Sequence, residues 1–318
     1  MKAVIRTKYG PPKVLSIQEL EIPVPKDNEV LIKVHASTAN RSDYHVLTGK
    51  PFIMKLFLGL FKPGSSRIGS DFAGQVEAAG KNVISFKVGD KVMGFGGVFG
   101  RGTLAQYITF PEKEIVAMPV HLNYEQAAAC LEGPYYAAAG LLQMKLKGGQ
   151  KALVYGATGA IGSSQVQMLK YYGLYVTAVC GGENIELVRS LGADKIIDYK
   201  TQDFTKDEER YDFIFDAVDK VSFLKCKKLL KKKGIYNSSG GFIKLFWALL
   251  TRITGGKRVL FLPPKDIKGA LTFIKGLVEN GNFKPVIDRK YPLDKIAEAF
   301  RYVGTGQKIG TVVITMDI

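Results

Sequence analysis

Cysteine is scarce in this 318-residue chain: Cys130, Cys180 and Cys226 are far apart and odd in number. That argues against a disulfide framework and suits a reducing compartment, so a cytoplasmic protein is expected. No apolar run is long enough to span a bilayer. Met1-Lys-Ala-Val-Ile-Arg6 reads as a strand, not as a basic-then-apolar leader. Acidic residues are few, 29 against 45 Lys and Arg, for a formal net charge of +16. Such a surplus attracts nucleic acid, acidic membrane surfaces or an anionic cofactor. No basic segment interleaved with aromatics marks an RNA- or DNA-binding motif. The densest cluster, Lys225, Lys227, Lys228, Lys231, Lys232 and Lys233, reads as a solvated helix face, its cations near a helix C-terminus before Gly234.

The chain does carry one informative stretch, Lys151-Ala-Leu-Val-Tyr-Gly156-Ala-Thr-Gly159-Ala-Ile-Gly162. A strand-like run leads into three glycines, and helical spacing follows in Val166, Met168, Leu169 and Tyr172. A strand, a glycine-rich turn and a helix start can hold a dinucleotide pyrophosphate. Backbone N–H groups face the phosphates, and missing side chains let the backbone approach. The spacing departs from G-x-G-x-x-G, and any tight turn from strand to helix favours glycine. The context strengthens the reading. Further strands are expected at Tyr175–Cys180, Lys195–Tyr199, Tyr211–Asp216 and Gly234–Ser239, with a helix through Ile185 to Leu191. Repeated strand–helix units of this kind predict an α/β, doubly wound parallel sheet.

Residues 1–120 differ. Short strands alternate with Gly/Pro turns, the pattern of a β-rich, barrel-like domain. After Phe283 the chain returns to strand, helix and strand, and the last strand, Gly310–Thr315, is expected to rejoin the first domain. The reading is one domain of residues 1–120 and 284–318, a dinucleotide domain of 121–283 inserted into it, and an active site in the cleft between them.

This organisation resembles the medium-chain dehydrogenase/reductase superfamily, and within it the zinc-free quinone oxidoreductase-like branch. The motifs that carry the resemblance are Asn40-Arg-Ser-Asp-Tyr-His45, Gly69-Ser-Asp-Phe-Ala-Gly74, Phe86–Val92, the Gly156–Gly162 turn, Leu187–Asp194, Ile197-Asp-Tyr199 and Gly306–Val313. Their order and spacing cover nearly the whole chain. The resemblance implies a Rossmann-like domain beside a GroES-like barrel. It also implies that Asn40 stands where zinc alcohol dehydrogenases of the superfamily place a cysteine ligand, and Ser70 where they place a histidine. Amide and hydroxyl are poor zinc ligands, and residues 81–110 hold no cysteine for a structural zinc loop, so no metal is expected. Without a metal, Asn40, Tyr44 and His45 are the candidates to donate a hydrogen bond or proton to a substrate carbonyl. Asp43 and Asp71 read as cap or turn formers, and His35 as a satisfied core residue.

Cofactor contacts are expected at the carboxyl ends of the strands. They are Gly156, Thr158, Gly159, Ala160, Ile161 and Gly162 on the turn, then Cys180, Gly181, Asn184, Tyr199, Ala217, Val218, Ser238, Ser239, Gly240 and Phe261, with Lys308 as a phosphate partner. The second strand ends in Val179-Cys180-Gly181 without the acid that holds an NAD ribose. NADP(H) is therefore favoured over NAD(H). Glu183 opposes this, standing where relatives often carry Arg or Lys. Pro51–Phe61 and Phe242–Leu250 are greasy segments, suited to a substrate wall, a subunit contact or plain core. A homodimer is expected, with Arg258–Leu262 as its edge. The function expected is hydride transfer from NADP(H) to a quinone or α,β-unsaturated carbonyl. The alternatives are alcohol dehydrogenase activity on a simple carbonyl, and a binding protein for nucleic acid or a membrane surface.

Overall fold

In the computed structural model, residues 1–97, 99–240, 243–260 and 266–316 are described. The chain forms two compact units. One is Met1–Tyr135 with Ile267–Glu279 and Pro285–Ile318; the other is Tyr136–Asp266 with Asn280–Lys284.

The first unit opens with an antiparallel pair, β1 (Lys2–Arg6) and β2 (Leu15–Glu19). It continues through β3 (Glu29–Ala39), α1 (Arg41–Thr48), α2 (Met54–Leu58), β4 (Asp71–Ala79), β5 (Lys91–Phe95), β6 (Tyr107–Pro111), β7 (Ile115–Ala117) and α3 (Tyr124–Ala129). Helix α4 (Glu132–Leu141) carries the chain into the second unit. There follow β8 (Lys151–Tyr155), α5 (Ala160–Tyr171), β9 (Tyr175–Cys180), α6 (Ile185–Ser190), β10 (Lys195–Asp198), β11 (Tyr211–Asp216), α7 (Phe223–Cys226), β12 (Leu230–Ser238), α8 (Ile243–Thr254) and β13 (Arg258–Leu260). The chain then returns with α9 (Ile267–Glu279), β14 (Ile287–Pro292), α10 (Ile296–Thr305) and β15 (Thr311–Thr315).

Strand β3 is the spine of the first unit. Val30, Ile32, Val34 and Ala36 alternate into the core with the period of a pleated strand. Its first half pairs with β6, its length with β4 and its end, Ala36–Ala39, with β15. The last strand therefore closes the first unit's sheet. This register sets Ser37, Thr38 and Asn40 near the start of β4, where Asp71 begins.

The second unit is a parallel sheet in the order β10-β9-β8-β11-β12-β13. Strand order reverses between β8 and β11, the switch point at which such sheets bind ligands. Ala152, Leu153 and Val154 of β8 and Ile214 and Phe215 of β11 are buried, as strands covered on both faces require.

Three details differ from the sequence reading. The seam falls after Tyr135 and α9 belongs to the first unit, because α3 packs on β3, β4 and β15 and α9 on β7. The lysine cluster is a helix face only in part: Lys225 lies on α7 and Lys227 and Lys228 on the 3-10 turn that follows it. Buried Leu229 and Leu230 start β12 early, so Lys231, Lys232 and Lys233 lie exposed on a strand. Strand β13 does edge the parallel sheet, while Phe261 and Leu262 lie outside the described residues. Among the described residues, no helix is long and apolar enough to cross a membrane.

Candidate functional site

The glycine turn leaves β8 through Gly156, whose φ of +77° is a left-handed conformation that favours glycine. The N–H groups of Gly156 and Ala157 both donate to the Val179 carbonyl, pinning the turn to β9. Val218, after β11, packs on Gly156 across the switch point. Gly159 is the N-cap of α5 and offers no side chain to cap it. The N–H groups that open the helix have no intrahelical partner, and the helix dipole adds partial positive charge there. Thr158, Ala160 and Ile161 are half-buried around this end. Gly162 is needed for another reason: a β-carbon there would lie 2.1 Å from the Gly156 carbonyl oxygen. The turn is thus a backbone cradle with uncommitted donors, which fits a pyrophosphate.

The other strand ends add detail. Burial pushes the Cys180 thiol up to about 11, so it is an inert wall. Gly181 and Asn184 flank Glu183, whose carboxylate accepts from Lys200 Nζ at 2.8 Å. That bond holds Glu183 below the usual carboxylate range. Tyr199 is half exposed, and with Lys200, Tyr155 and Lys225 it lines a cavity of about 360 Å³. Beyond β11, buried Asp216 accepts from the N–H groups of Val218 and Val221 and so shapes the Ala217–Val218 turn. Ser239 N–H donates to the Asp216 carbonyl at 3.0 Å, and Ser238 is held by Lys244 beside Gly240. The sequence reading ends this strand at Asp216, on the edge where cofactor contacts are expected, and did not foresee that its carboxylate would brace the turn. Phe261 lies outside the described residues.

The first unit gathers a different kind of site. Asp71 is fully buried and accepts from Thr38 N at 3.0 Å, Thr38 Oγ1 at 2.6 Å and Asn40 Nδ2 at 3.1 Å. Asn40 Nδ2 also donates to Thr38 Oγ1 at 2.6 Å. Both amide hydrogens are therefore committed, and Asn40 has only its oxygen left to offer. Asp43 is buried in the first turn of α1 and accepts from Ser70 Oγ at 3.2 Å. Glu132, also buried, accepts from Ser42 Oγ. Burial pushes the Asp43 carboxyl up to about 8, with Asp71 adding repulsion. Burial raises Asp71 to about 6 against the pull of its donors. Glu132 is raised by burial and by Asp43. Both carboxyls are pushed toward the protonated form, Asp43 further than Asp71. The cap-or-turn reading of Asp43 and Asp71 is thus replaced by a buried carboxyl network.

Lys308 belongs to this network. Its ammonium donates to the Gly310 carbonyl at 2.6 Å; burial lowers its pKa while Glu132 opposes the shift. Its ammonium is bonded within the first unit. Tyr44 lays its ring on Gly304 of α10, with the Arg41 guanidinium 5.7 Å from the ring centre. Its neighbour His45 meets it edge to face at 6.4 Å. Burial keeps the His45 imidazole neutral to lower pH than usual, and its buried Nδ1 has no hydrogen-bond partner. His35 is packed but not satisfied. It stacks on Tyr124 with centroids 4.1 Å apart, and its Nε2 is buried without a partner.

Residues 26–120 match the alcohol dehydrogenase GroES-like domain, and residues 191–314 the zinc-binding dehydrogenase family. The chain is 32% identical over 312 residues to a chloroplast envelope quinone oxidoreductase homolog of Arabidopsis thaliana, covering 93% of this chain and 92% of that one. It is 31% identical to an NADPH-dependent alkenal/one oxidoreductase of the same plant, covering 99% of this chain and 79% of the other. The chain is a medium-chain dehydrogenase/reductase. Among solved structures, the quinone oxidoreductase from Coxiella burnetii superposes with a TM-score of 0.89 at 26% identity, covering all of this chain and 99% of that one. This medium-chain dehydrogenase/reductase is an oxidoreductase of the quinone oxidoreductase-like group.

The zinc named in the family description does not fit the residues present. Asn40 turns its amide donors inward to Thr38 and Asp71, and Ser70 gives its hydroxyl hydrogen to Asp43. Neither is a thiolate, imidazole or free carboxylate. Among the described residues, no group of three His, Cys, Asp or Glu is placed to hold a metal ion.

Proposed function

We infer that this protein is a zinc-free, NADP(H)-dependent reductase of quinones or α,β-unsaturated carbonyls. The observation that carries the reading is the uncapped N-terminus of α5, reached through left-handed Gly156 at the switch point of a parallel sheet. The names of its relatives support the substrate class. Bound NADP(H) supplies the hydride. The chain's own residues hold and orient. Gly156, Gly159 and the first turn of α5 receive the pyrophosphate. Lys200 and Tyr199 supply a cation and a phenol for the adenosine end. Glu183 tempers Lys200 by pairing with it. With the Asn40 amide committed to Asp71, Tyr44 and His45 remain as candidates to hand a proton to the reduced substrate oxygen.

Fluorescence titration with NADPH and NADH tests the cofactor half. NADPH should bind more tightly. Lys200→Ala should weaken NADPH about tenfold and leave NADH nearly unchanged, as expected for one charge-assisted phosphate contact. Glu183→Gln should tighten NADPH by freeing Lys200. Preference for NADH, abolished by Glu183→Gln, would reverse the assignment and give Glu183 to the ribose hydroxyls. A panel of quinones and enones on the preferred cofactor then tests the substrate class.

A further inference from the structure

Charge in this chain is concentrated. From Lys220 to Leu260 there are eleven lysines and arginines and no aspartate or glutamate, against a net +16 for the whole protein. Lys225, Lys227, Lys228, Lys231, Lys232, Lys233, Arg252 and Arg258 are exposed. The same segment contains α8, whose two faces are reversed from the usual pattern. Its inward face carries Lys244, Trp247, Ala248 and Thr251. Lys244 is buried and paired with Asp219, Thr251 Oγ1 accepts from Val259 N–H, and Trp247 packs on Phe223. Its outward face carries Leu245, Phe246, Leu249, Leu250 and Ile253, with Phe246 61% and Ile253 85% exposed. Those positions fall at i, i+1, i+4, i+5 and i+8, one continuous stripe on a helix. Lys227 and Lys257 join Trp247 and Leu250 in lining a cavity of about 230 Å³, so cations border the apolar stripe.

We propose that the stripe of α8 and the cations around it form a docking surface for an anionic lipid bilayer. A bilayer interface offers what this surface needs: apolar depth for the leucines and Phe246, and negative headgroups for the lysines and arginines. Nucleic acid would satisfy the cations and leave the stripe in water. A second copy that met this segment with its own would bring two stretches rich in cations and free of acids together, which like-charge repulsion opposes. The inference is independent of the reaction proposed above.

The test is co-sedimentation of the full chain with sucrose-loaded vesicles. Phosphatidylcholine–phosphatidylglycerol vesicles should bind it at low salt, and pure phosphatidylcholine vesicles at least about tenfold more weakly. Phe246→Ser with Leu249→Ser, and separately Lys227→Gln with Arg252→Gln, should each cost about tenfold in vesicle affinity. All four side chains are exposed or half-exposed, so cooperative melting should be unchanged. Absence of vesicle binding by the wild type would overturn the proposal. So would binding that ignores the Phe246/Leu249 change, which would be charge attraction alone. So would dissociation of a dimer by that change, seen by sedimentation equilibrium, if vesicle affinity stays the same.

Discussion

The glycine turn after β8 and the carboxyl network at the end of β3 are both polar, and they are finished to different degrees. The turn spans seven consecutive residues and acts through backbone alone; its helix-opening N–H groups have no partner within the helix. The network draws on Ser37, Thr38, Asn40, Asp43, Ser70, Asp71 and Glu132, and its members largely satisfy one another. The difference separates binding from holding. A surface that keeps donors unspent is ready for an anion, while one that spends them internally fixes the shape of what surrounds it. Asn40 shows the point. Its place in the motif made it a candidate donor to substrate, and its geometry makes it a brace between β3 and β4.

The largest expected effect tests the bracing side. Asp71→Ala would leave Thr38 N–H, Thr38 Oγ1 and the Asn40 amide buried without their acceptor. Each orphaned group costs about 1–3 kcal/mol. Urea unfolding should show a loss of that order. A loss below about 1 kcal/mol would mean that the network does not hold the strands together. Next in size is Gly162→Ala, which tests the binding side. Its methyl would press on the Gly156 carbonyl, so α5 must move away from the turn. That should cost about 1–3 kcal/mol of stability, and at least about tenfold in NADPH affinity as the helix-start donors are displaced. Loss of stability with full affinity would show that the turn is not the pyrophosphate cradle.

The same contrast explains what the sequence made legible. Parallel strands, the glycine turn and the return of the last strand follow from local spacing, and each stands in the structure. The network is invisible locally because its partners are far apart: Asp71 lies about thirty residues from Thr38, and Glu132 lies ninety from Ser42. A single acid in a motif reads as a cap until the strand register brings its donors. The second half of the lysine cluster, Lys231, Lys232 and Lys233, failed for the opposite reason. Charge spacing suggested a helix, but Leu229 and Leu230 decided the backbone by entering the core.

The effect that vanishes at acid pH is also the most discriminating. Asp43 titrates at about 8 when folded and from 3.8 when free of its surroundings. Between those values the folded chain keeps a proton that the unfolded chain has released. Stability from this group is therefore full below the lower value and falls as pH rises toward the upper one, by at most about 1.4 kcal/mol per pH unit. Asn is neutral throughout and keeps an oxygen for Ser70, so Asp43→Asn should match the wild type below pH 3.8. It should grow steadily more stable than the wild type toward pH 8, read as diverging melting temperatures. Parallel curves would mean that neither burial nor Asp71 holds a proton on Asp43 in the folded chain.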